Sequence, residues 1–296
     1  MARAWASKGA ALRLLCRSVP RQLVDLEGDV EFVLGDVFDA NLHGQLFADV
    51  EAVYDFLGFS VPATSSMVYE CETGLRSLSI ILENMAARGI PRIFFPSSGG
   101  TIYHDGGGPH REDDELRADC AYAMGKIMSE EMIRYFSRKH GIEYLIGRLS
   151  NPYGDPSIGL RRQGIVDVSL NRVLAGKSLE LWGDGGQVRD FLFIDDATDI
   201  LWRLHRQERW NLTVNIGSGR GVSVRDLFAL LRETVERDPG LVRRAEAYAG
   251  VRHSVLDISR LRGLLGEVAL TPLPEGVAET LRRKCAAGGA GSPTCG

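Results

Sequence analysis

The chain has 296 residues, of which 44% are hydrophobic and 25% are charged, with a net charge of −4 at pH 7. This composition is typical of a globular protein, and the acidic balance excludes the basic footprint of a nucleic-acid-binding protein. No apolar run is long enough to span a bilayer, so we expect no membrane partner. The length fits one α/β domain with a smaller second lobe.

The five cysteines are odd in number, widely scattered and without a Cys-x-x-Cys spacing. This usage predicts a reducing compartment, the cytoplasm, and no zinc site. The six histidines are equally dispersed. We therefore predict no bound metal.

The start of the chain allows two interpretations. Residues Met1 to Val24 contain basic but no acidic side chains, which is also typical of a transit peptide. Alternatively, Ala2 to Ser7 is the end of a helix, Gly9 stops it, and a strand follows from Ala11 to Cys16. We favour the second interpretation because helix, glycine and strand follow in the order that the rest of the chain repeats.

Short apolar strands alternate with long helical patterns over the first half of the chain. The predicted strands are Leu12 to Leu15, Val30 to Leu34, Ala52 to Phe56, Ile93 to Phe95 and Tyr144 to Ile146. The longest helical patterns are Met67 to Arg88 and Cys120 to His140. This alternation predicts a parallel sheet that is covered by helices on both faces.

The stretch from Phe94 to Lys126 carries the clearest chemistry. The strand ends in Ser-Ser-Gly-Gly-Thr-Ile-Tyr, and Tyr122 and Lys126 follow at an i, i+4 spacing, which puts both on one face of a helix. A nearby ammonium lowers the pKa of a phenol, so that the phenol can exchange a proton near neutral pH. Such a pair alone also occurs by chance, but the hydroxyl-rich strand end before it makes the pattern specific.

These residues resemble the active site of the short-chain dehydrogenase/reductase superfamily, in its extended, UDP-glucose 4-epimerase-like branch of NAD-dependent epimerases and dehydratases. Later motifs support the resemblance, which runs from about residue 4 to residue 284. They are Arg-x-x-Asn-Pro-x-Gly from Arg148, Trp-Gly-Asp-Gly…Arg-Asp-Phe from Trp182, and Val-Asn-Ile-Gly-Ser-Gly from Val214.

The resemblance implies a Rossmann-like doubly wound parallel sheet with a smaller C-terminal α/β substrate lobe. Residues 1–150 would form an incomplete Rossmann dinucleotide-binding domain, and residues 151–284 a nucleotide-sugar lobe that is interleaved with it. Residues 285–296 are rich in Gly and Ala with little to bury, so we expect a disordered tail. The family also implies a homodimer through the helices at 67–88 and 120–140.

The implied activity is that of a nucleotide-sugar epimerase or dehydratase, with transient hydride transfer to bound NAD or NADP. Tyr122 would act as acid and base, and Lys126 would lower the tyrosine pKa and bind the nicotinamide ribose. Thr101 or Ser98 would hydrogen-bond the reacting oxygen, because the position that often carries the catalytic hydroxyl is Gly99 here.

The resemblance also implies binding residues for the cofactor. Asp36 and Val37 follow the second strand, where an acid contacts adenine, although an aspartate is equally common in a turn. Phe56, Leu57 and Gly58 match the segment that passes the phosphates and ribose, and a glycine there lets backbone approach a ligand.

Three further arginine and asparagine positions complete the expected site. Arg17 occupies the position at which NAD-preferring members of the family carry an acid. This difference favours NADP or no firm preference. Asn151 and Arg189 would contact the substrate diphosphate, since an arginine fork suits phosphate. The alternative role of Asn151 is to start an Asn-Pro turn, and that of Arg189 is to form an ion pair with the neighbouring aspartate.

One family feature is missing. The family opens with a strand and a Gly-x-x-Gly-x-x-Gly turn that cradles the pyrophosphate, and no such run precedes Leu12. That first strand lies mid-sheet in the family, between the strands that match Leu12 to Leu15 and Ala52 to Phe56. Three hypotheses follow: an active enzyme, an impaired homologue that keeps the sugar-nucleotide lobe but cannot hold the dinucleotide, or an N-terminally shortened chain whose start lies upstream.

Overall fold

The computed structural model describes residues 1–58, 61, 66–104, 107–156, 164–235, 239–244 and 250–288. The chain divides into two units. Unit 1 comprises Met1–Ser97, Ala118–Gly147 and Leu201–Thr213, and unit 2 comprises Ser98–Arg117, Arg148–Ile200 and Val214–Gly296. Within the ranges described, no helix is long and apolar enough to cross a membrane.

The helices are numbered here in chain order. They are α1 (Ala2–Ala6), α2 (His43–Leu46), α3 (Met67–Glu70), α4 (Arg76–Arg88), α5 (Ala121–His140), α6 (Ile165–Leu174), α7 (Ile194–Arg206), α8 (Val224–Thr234), α9 (Ser259–Leu265) and α10 (Leu273–Gly288). Short 3-10 turns cover Arg21–Leu23 and Ala40–Leu42, and a π-helical turn covers Cys71–Leu75 between α3 and α4.

The strands are numbered in the same way. They are β1 (Leu12–Cys16), β2 (Val30–Leu34), β3 (Ala52–Tyr54), β4 (Arg92–Ser98), β5 (Pro109–His110), β6 (Glu143–Leu149), β7 (Asn151–Tyr153), β8 (Leu179–Trp182), β9 (Val188–Phe193), β10 (Leu212–Ile216), β11 (Gly221–Ser223), β12 (Leu241–Arg244) and β13 (His253–Leu256).

Parallel pairing in unit 1 confirms the predicted α/β class. β1 pairs with β2 in parallel, with Leu12 opposite Val30, and β3 pairs with β4, with Ala52 opposite Arg92. A four-stranded sheet, most of whose residues belong to unit 1, has the order β10-β6-β4-β3, whereas β1 and β2 form a sheet of their own.

Apolar side chains at helical spacing bind the sheet of unit 1 to its helices. Leu78, Ile81, Leu82 and Met85 lie on one face of α4 and are buried, and they share a core cluster with Ile93 of β4. Helix α4 ends at Gly89, whose φ of 67° is left-handed, a conformation that glycine adopts without a steric cost.

In unit 2, strand β9 is the centre of the pairing. It pairs in parallel with β7 and β13 and antiparallel with β11, while β12 pairs in parallel with β8. The core lies between these strands and helices α6, α8 and α10. Helix α10 continues to Gly288, so the segment predicted as a tail from residue 285 begins inside a helix, and residues 289–296 lie outside the described part.

Several element boundaries differ from the sequence prediction. β3 ends at Tyr54 instead of Phe56, because the carboxylate of Asp55 accepts the N–H of Leu57 and turns the chain. The π-helical turn interrupts the helix that was predicted over 67–88. Helix α7 begins at Ile194, and Asp195 in its first turn pairs with Arg283.

Trp5 of α1 is an anchor of unit 1. Its side chain is 4% exposed, and its ring lies 4.7 Å from that of Tyr54 and 5.2 Å from that of Trp202, both in edge-on geometry. The hydroxyl of Tyr54 in turn hydrogen-bonds Nδ1 of His205 at 2.9 Å. The first residues of the chain therefore belong to the core of unit 1, in agreement with the favoured interpretation.

We expect Trp5→Ala to lower the free energy of unfolding by about 3–5 kcal/mol, since it removes a buried aromatic and leaves a cavity. The measurement is urea unfolding followed by circular dichroism. Trp182→Ala is the control, because Trp182 is 45% exposed, and it should change the free energy of unfolding little. Equal effects of the two substitutions would contradict the assignment of Trp5 as an anchor.

Candidate functional site

Helix α5 carries Tyr122 and Lys126 on one face, as their spacing predicts. The ammonium of Lys126 lies 5.8 Å from the centre of the Tyr122 ring. It donates a hydrogen bond of 2.8 Å to the carbonyl oxygen of Pro96 and lies 4.5 Å from the centre of the Phe95 ring. The end of β4 therefore holds the lysine beside the tyrosine within unit 1.

The charges of three buried carboxylates influence the pKa of this lysine. Burial lowers the pKa of Lys126, and the negative charges of Asp55, Glu70 and Glu130 oppose that change. All three acids are buried. Burial raises the pKa of Asp55, and the N–H of Leu57 and the charge of Lys126 oppose that rise.

Glu130 has partners of its own. Its Oε1 accepts a hydrogen bond of 2.6 Å from the hydroxyl of Ser97, and its Oε2 accepts one of 2.9 Å from Arg134. Lys126, Glu130 and Arg134 thus follow one another at i, i+4 steps along α5. This spacing is readable from the sequence, yet sequence reasoning missed Glu130.

The ends of the first strands carry the predicted cofactor residues. Arg17, directly after β1, is exposed, and Asp36, after β2, is half-buried and accepts the N–H of Phe38 at 3.2 Å. The side chain of Val37 is part of the core, so only its backbone is available to a ligand. Because β1 and β2 run parallel, Arg17 and Asp36 lie at the same end of their sheet.

The segment after β3 is open. Phe56 is 48% exposed, and its ring lies 5.5 Å from that of Phe94. Leu57 is half-buried. A Cβ atom added at Gly58 would meet nothing within 4 Å. Backbone and an aromatic face are therefore accessible at this strand end.

In unit 2, the hydroxyls of the predicted strand-end motif form a pair. Thr101 donates a hydrogen bond of 2.8 Å to the hydroxyl oxygen of Ser98. A Cβ atom at Gly99 would lie 2.6 Å from a methyl group of Leu256, which explains why no hydroxyl stands at this position. Thr101 and Ser98 are thus the hydroxyls that this segment offers.

Tyr103 has a different role. Its hydroxyl donates to Oδ1 of Asn215 at 2.6 Å and accepts a hydrogen bond of 3.0 Å from Arg148. Burial raises the pKa of Tyr103 to about 12. A tyrosine that holds its proton this firmly is a structural hydrogen-bonding group and not an acid-base group at neutral pH.

The two predicted substrate residues both contact backbone in unit 2. The amide of Asn151 donates to the carbonyl oxygen of Asp190 at 3.0 Å. Arg189 donates to the carbonyl oxygens of Val188 at 2.7 Å and Val251 at 2.5 Å. These hydrogen bonds go to backbone oxygens.

Asp190 is a buried hub that sequence reasoning missed. One of its oxygens accepts the backbone N–H and the hydroxyl of Ser218 at 2.8 and 2.6 Å, and the other accepts the N–H groups of Gly219 at 3.0 Å and Leu256 at 3.3 Å. Burial raises its pKa, and these hydrogen bonds oppose the rise. Its carboxylate ties three segments of unit 2 together. The described residues contain no cluster that could hold a metal ion.

We expect Asp190→Ala to lower the free energy of unfolding by about 3 kcal/mol, because it leaves several buried donors without an acceptor. Urea unfolding checks this value. Asp113→Ala is the control, since Asp113 is exposed and pairs with Arg260 at the surface, where an ion pair contributes little. An Asp190→Ala protein as stable as the control would contradict the role of the hub.

Comparison with known proteins places these features in a family. A family model described as "NAD dependent epimerase/dehydratase family" matches residues 1–217. A Methanocaldococcus jannaschii protein named after UDP-glucose 4-epimerase is 32% identical over 69% of this chain and 68% of its own length. The UDP-glucose 4-epimerase of Mycolicibacterium smegmatis is 26% identical over 85% of this chain and 82% of its own.

Solved structures agree on the fold. The UDP-glucose 4-epimerase of Thermus thermophilus, solved with NAD, has a TM-score of 0.82 at 24% identity and covers 96% of this chain and 93% of its own. A dTDP-glucose 4,6-dehydratase of Streptomyces venezuelae has a TM-score of 0.82 at 24% identity, over 95% and 89%. With the α/β fold, the Tyr122–Lys126 pair and the family match together, the chain belongs to the NAD-dependent epimerase/dehydratase family.

Proposed function

We propose that this chain is a nucleotide-sugar epimerase or dehydratase that works with NAD or NADP and uses Tyr122 as its acid and base. One observation carries the proposal: in a member of this family, the ammonium of Lys126 lies 5.8 Å from the centre of the Tyr122 ring and is held by the Pro96 carbonyl. The names of the relatives, which are nucleotide-sugar epimerases, dehydratases and a reductase, support the substrate class.

The chemistry of the chain's own residues follows from their positions. The positive charge of Lys126 favours the phenolate form of Tyr122. The phenolate oxygen of Tyr122 takes the proton of a sugar hydroxyl and later returns it. The paired hydroxyls of Thr101 and Ser98 would donate a hydrogen bond to the reacting oxygen. The dinucleotide, when bound, supplies the hydride acceptor.

The described residues fit part of a dinucleotide. Phe56 and Gly58 leave an open strand end for ribose and phosphate, and Asp36 with the backbone of Val37 offers an acceptor and a donor to adenine. Tyr122 and Lys126 would bind the nicotinamide ribose. Arg17, exposed after β1, suits the extra phosphate of NADP.

The described ranges offer no comparable cradle for the pyrophosphate. In those ranges no strand leads through Gly-x-x-Gly-x-x-Gly into a helix. The proposed steps above therefore concern only the proton and the hydrogen bonds that this chain supplies.

On the substrate side, we propose Asn151 and Arg189 as the residues that bind the diphosphate. A guanidinium has five N–H donors in a planar fork, and the hydrogen bonds from Arg189 to Val188 and Val251 fix the orientation of that fork. Those bonds also tie Arg189 to the segment around Val251, which would couple diphosphate binding to the position of this segment.

Replacing Tyr122 by Phe tests the mechanism. We expect turnover of UDP- and dTDP-hexoses in the presence of NAD or NADP to fall about 10²- to 10⁴-fold, because the proton acceptor is lost. Product formation is followed by anion-exchange chromatography, which separates epimers, dehydrated sugars and reduced sugars. Tyr144→Phe is the control, because it removes the hydroxyl of another half-buried tyrosine of unit 1. If Tyr122→Phe turned over substrate as fast as the parent protein, the mechanism would be wrong.

We also propose that the chain forms a homodimer through α3–α4 and α5. These helices expose large apolar side chains, which we call the helix patch: Met67, Val68, Tyr69, Met124, Met128 and Tyr135. An apolar patch of this kind on the surface of a protein usually marks an interface. A second copy of the chain is the occupant that the family relationship suggests.

Met128→Glu places a charge in the helix patch and should shift the protein towards the mass of a single chain, 32.5 kDa, because burying an unpaired carboxylate is costly. Light scattering during size-exclusion chromatography measures the mass. Val24→Glu alters an exposed apolar residue outside these helices and should leave the dimer intact. A parent protein that elutes at the mass of one chain would overturn the proposal.

A further inference from the structure

The motif Val-Asn-Ile-Gly-Ser-Gly carries a buried residue that the proposed reaction does not use. It is Asn215 on β10, which is 0% exposed. A buried side-chain amide is costly unless its oxygen and nitrogen find hydrogen-bond partners. Three hydrogen bonds of Asn215 go to one stretch of unit 2, residues 98–104 and 107–117, which we call the hydroxyl segment because it carries Ser98 and Thr101.

Asn215 holds the hydroxyl segment at three places. Its Oδ1 accepts a hydrogen bond of 2.6 Å from the hydroxyl of Tyr103. Its Nδ2 donates to the carbonyl oxygen of His110 at 2.8 Å, and its backbone N–H donates to Oε1 of Glu112 at 2.8 Å. The same Nδ2 donates to the carbonyl oxygen of Asp257 at 3.2 Å. A single residue of β10 therefore uses its side-chain oxygen, its side-chain nitrogen and its backbone to fix one segment.

Tyr103 is the member of this network that stands nearest in sequence to the two hydroxyls. Its hydroxyl also accepts a hydrogen bond of 3.0 Å from Nη1 of Arg148, and the same Nη1 donates to the carbonyl oxygen of Glu112 at 2.8 Å. The Tyr103 ring stacks on that of His110, with ring centres 5.0 Å apart and planes that differ by 6°. These four residues are between 2% and 9% exposed. Hydrogen bonds are stronger where water is excluded, so the network holds Tyr103 firmly.

The stretch before Tyr103 depends on contacts with other segments. Residues 99–102 form turns and a bend instead of a helix or a strand, and the first two are glycines, which give the backbone wide freedom. The N–H of Gly99 donates to the carbonyl oxygen of Leu149 at 2.7 Å, which fixes one end of the stretch. Tyr103 fixes the other end, and Thr101 lies between these two fixed points.

We propose that Asn215 is a positioning residue: through Tyr103 it fixes the backbone that presents the hydroxyls of Thr101 and Ser98 to the reacting oxygen. Thr101 stands two residues before Tyr103, and its hydroxyl donates to that of Ser98 at 2.8 Å, so a shift of this backbone moves both hydroxyls. A displacement of about 1 Å can cost about 10²-fold in rate. This role rests on the proposed function of the two hydroxyls and extends it, because it assigns their placement to a residue of a different strand.

The first test measures the mobility of Thr101 and needs no turnover. Tyr103→Phe removes the hydroxyl that Asn215 and Arg148 bind and keeps the ring that stacks on His110. The chain contains nine threonines, so protein labelled with ¹⁵N-threonine gives few amide signals in NMR spectra, and Thr101→Ser identifies the signal of Thr101. We expect the amide order parameter of Thr101 to fall from about 0.85 to below about 0.6 in Tyr103→Phe, because one fixed point of its backbone is lost.

Tyr153→Phe is the matched control. Tyr153 is buried to a similar degree, at 2% exposure, and belongs to the core of unit 2, where its hydroxyl lies against Gly276 of α10. Loss of this hydroxyl should leave the order parameter of Thr101 as it is in the parent. Asn215→Leu is the second variant, since it replaces the acceptor of the Tyr103 hydroxyl by an apolar side chain of similar size, and it should loosen Thr101 as Tyr103→Phe does.

The second test separates positioning from stability. With UDP- or dTDP-hexoses and NAD or NADP, Tyr103→Phe should lower kcat about 10- to 10²-fold and leave KM nearly unchanged. The reason is that Asn151 and Arg189, the residues proposed for the diphosphate, are untouched. A merely structural role of Tyr103 would lower the free energy of unfolding without this loss of kcat in the folded protein.

A rigid Thr101 in both Tyr103→Phe and Asn215→Leu would overturn the proposal, and so would an equal loosening in Tyr153→Phe or an unchanged kcat in Tyr103→Phe. The mobility of Thr101 is measured without catalysis. An active Tyr122→Phe protein would therefore defeat the proposed function alone, and a rigid Thr101 would defeat the positioning role alone.

Discussion

The candidate chemistry of this chain depends on keeping one lysine charged where water is largely excluded. Burial alone drives the ammonium of Lys126 towards its neutral form, and only nearby negative charge and a hydrogen-bond acceptor offset this cost. The Pro96 carbonyl supplies the acceptor, and acids from three elements supply the charge. The groups that interact with the Lys126 ammonium thus come from four elements of unit 1: β4 and α3, the end of β3, and α5 itself.

In both units, apolar side chains form the core, and buried polar groups link separate segments of the chain. In unit 1, apolar faces of α4 and α5 cover the sheet, while Lys126 and the buried Glu130 lie on one side of α5. In unit 2, the carboxylate of Asp190 on β9 accepts hydrogen bonds from two other segments, at Ser218–Gly219 and at Leu256. Asn151 and Arg189, the residues proposed for the diphosphate, contact backbone of the same region. Substrate binding and the stability of unit 2 are thus expected to depend on neighbouring groups.

Much of the fold was predictable because the spacing of apolar residues and the residues that end helices and strands are visible in short stretches of sequence. The bounds of β2 and the course of α5 follow from their apolar spacing and from Gly141 at the end of the helix. The Tyr122–Lys126 pair was predictable for the same reason. Glu70 was not: it stands in the run Met-Val-Tyr-Glu-Cys-Glu, and nothing local tells which of its two acids is buried. That depends on Gly125, which is distant in sequence. Asp190 was missed because its partners, Ser218, Gly219 and Leu256, are distant in sequence.

The central claim is that this chain binds a nicotinamide dinucleotide at the strand ends that lead to Lys126. Thermal unfolding of the purified protein with and without saturating NAD or NADP tests it most directly, since a ligand that binds only the folded state raises the melting temperature. We expect a rise of several degrees with one of the dinucleotides and a clearly smaller rise in Lys126→Met. No rise with either dinucleotide would contradict it and favour a homologue that keeps the fold of the family without its cofactor.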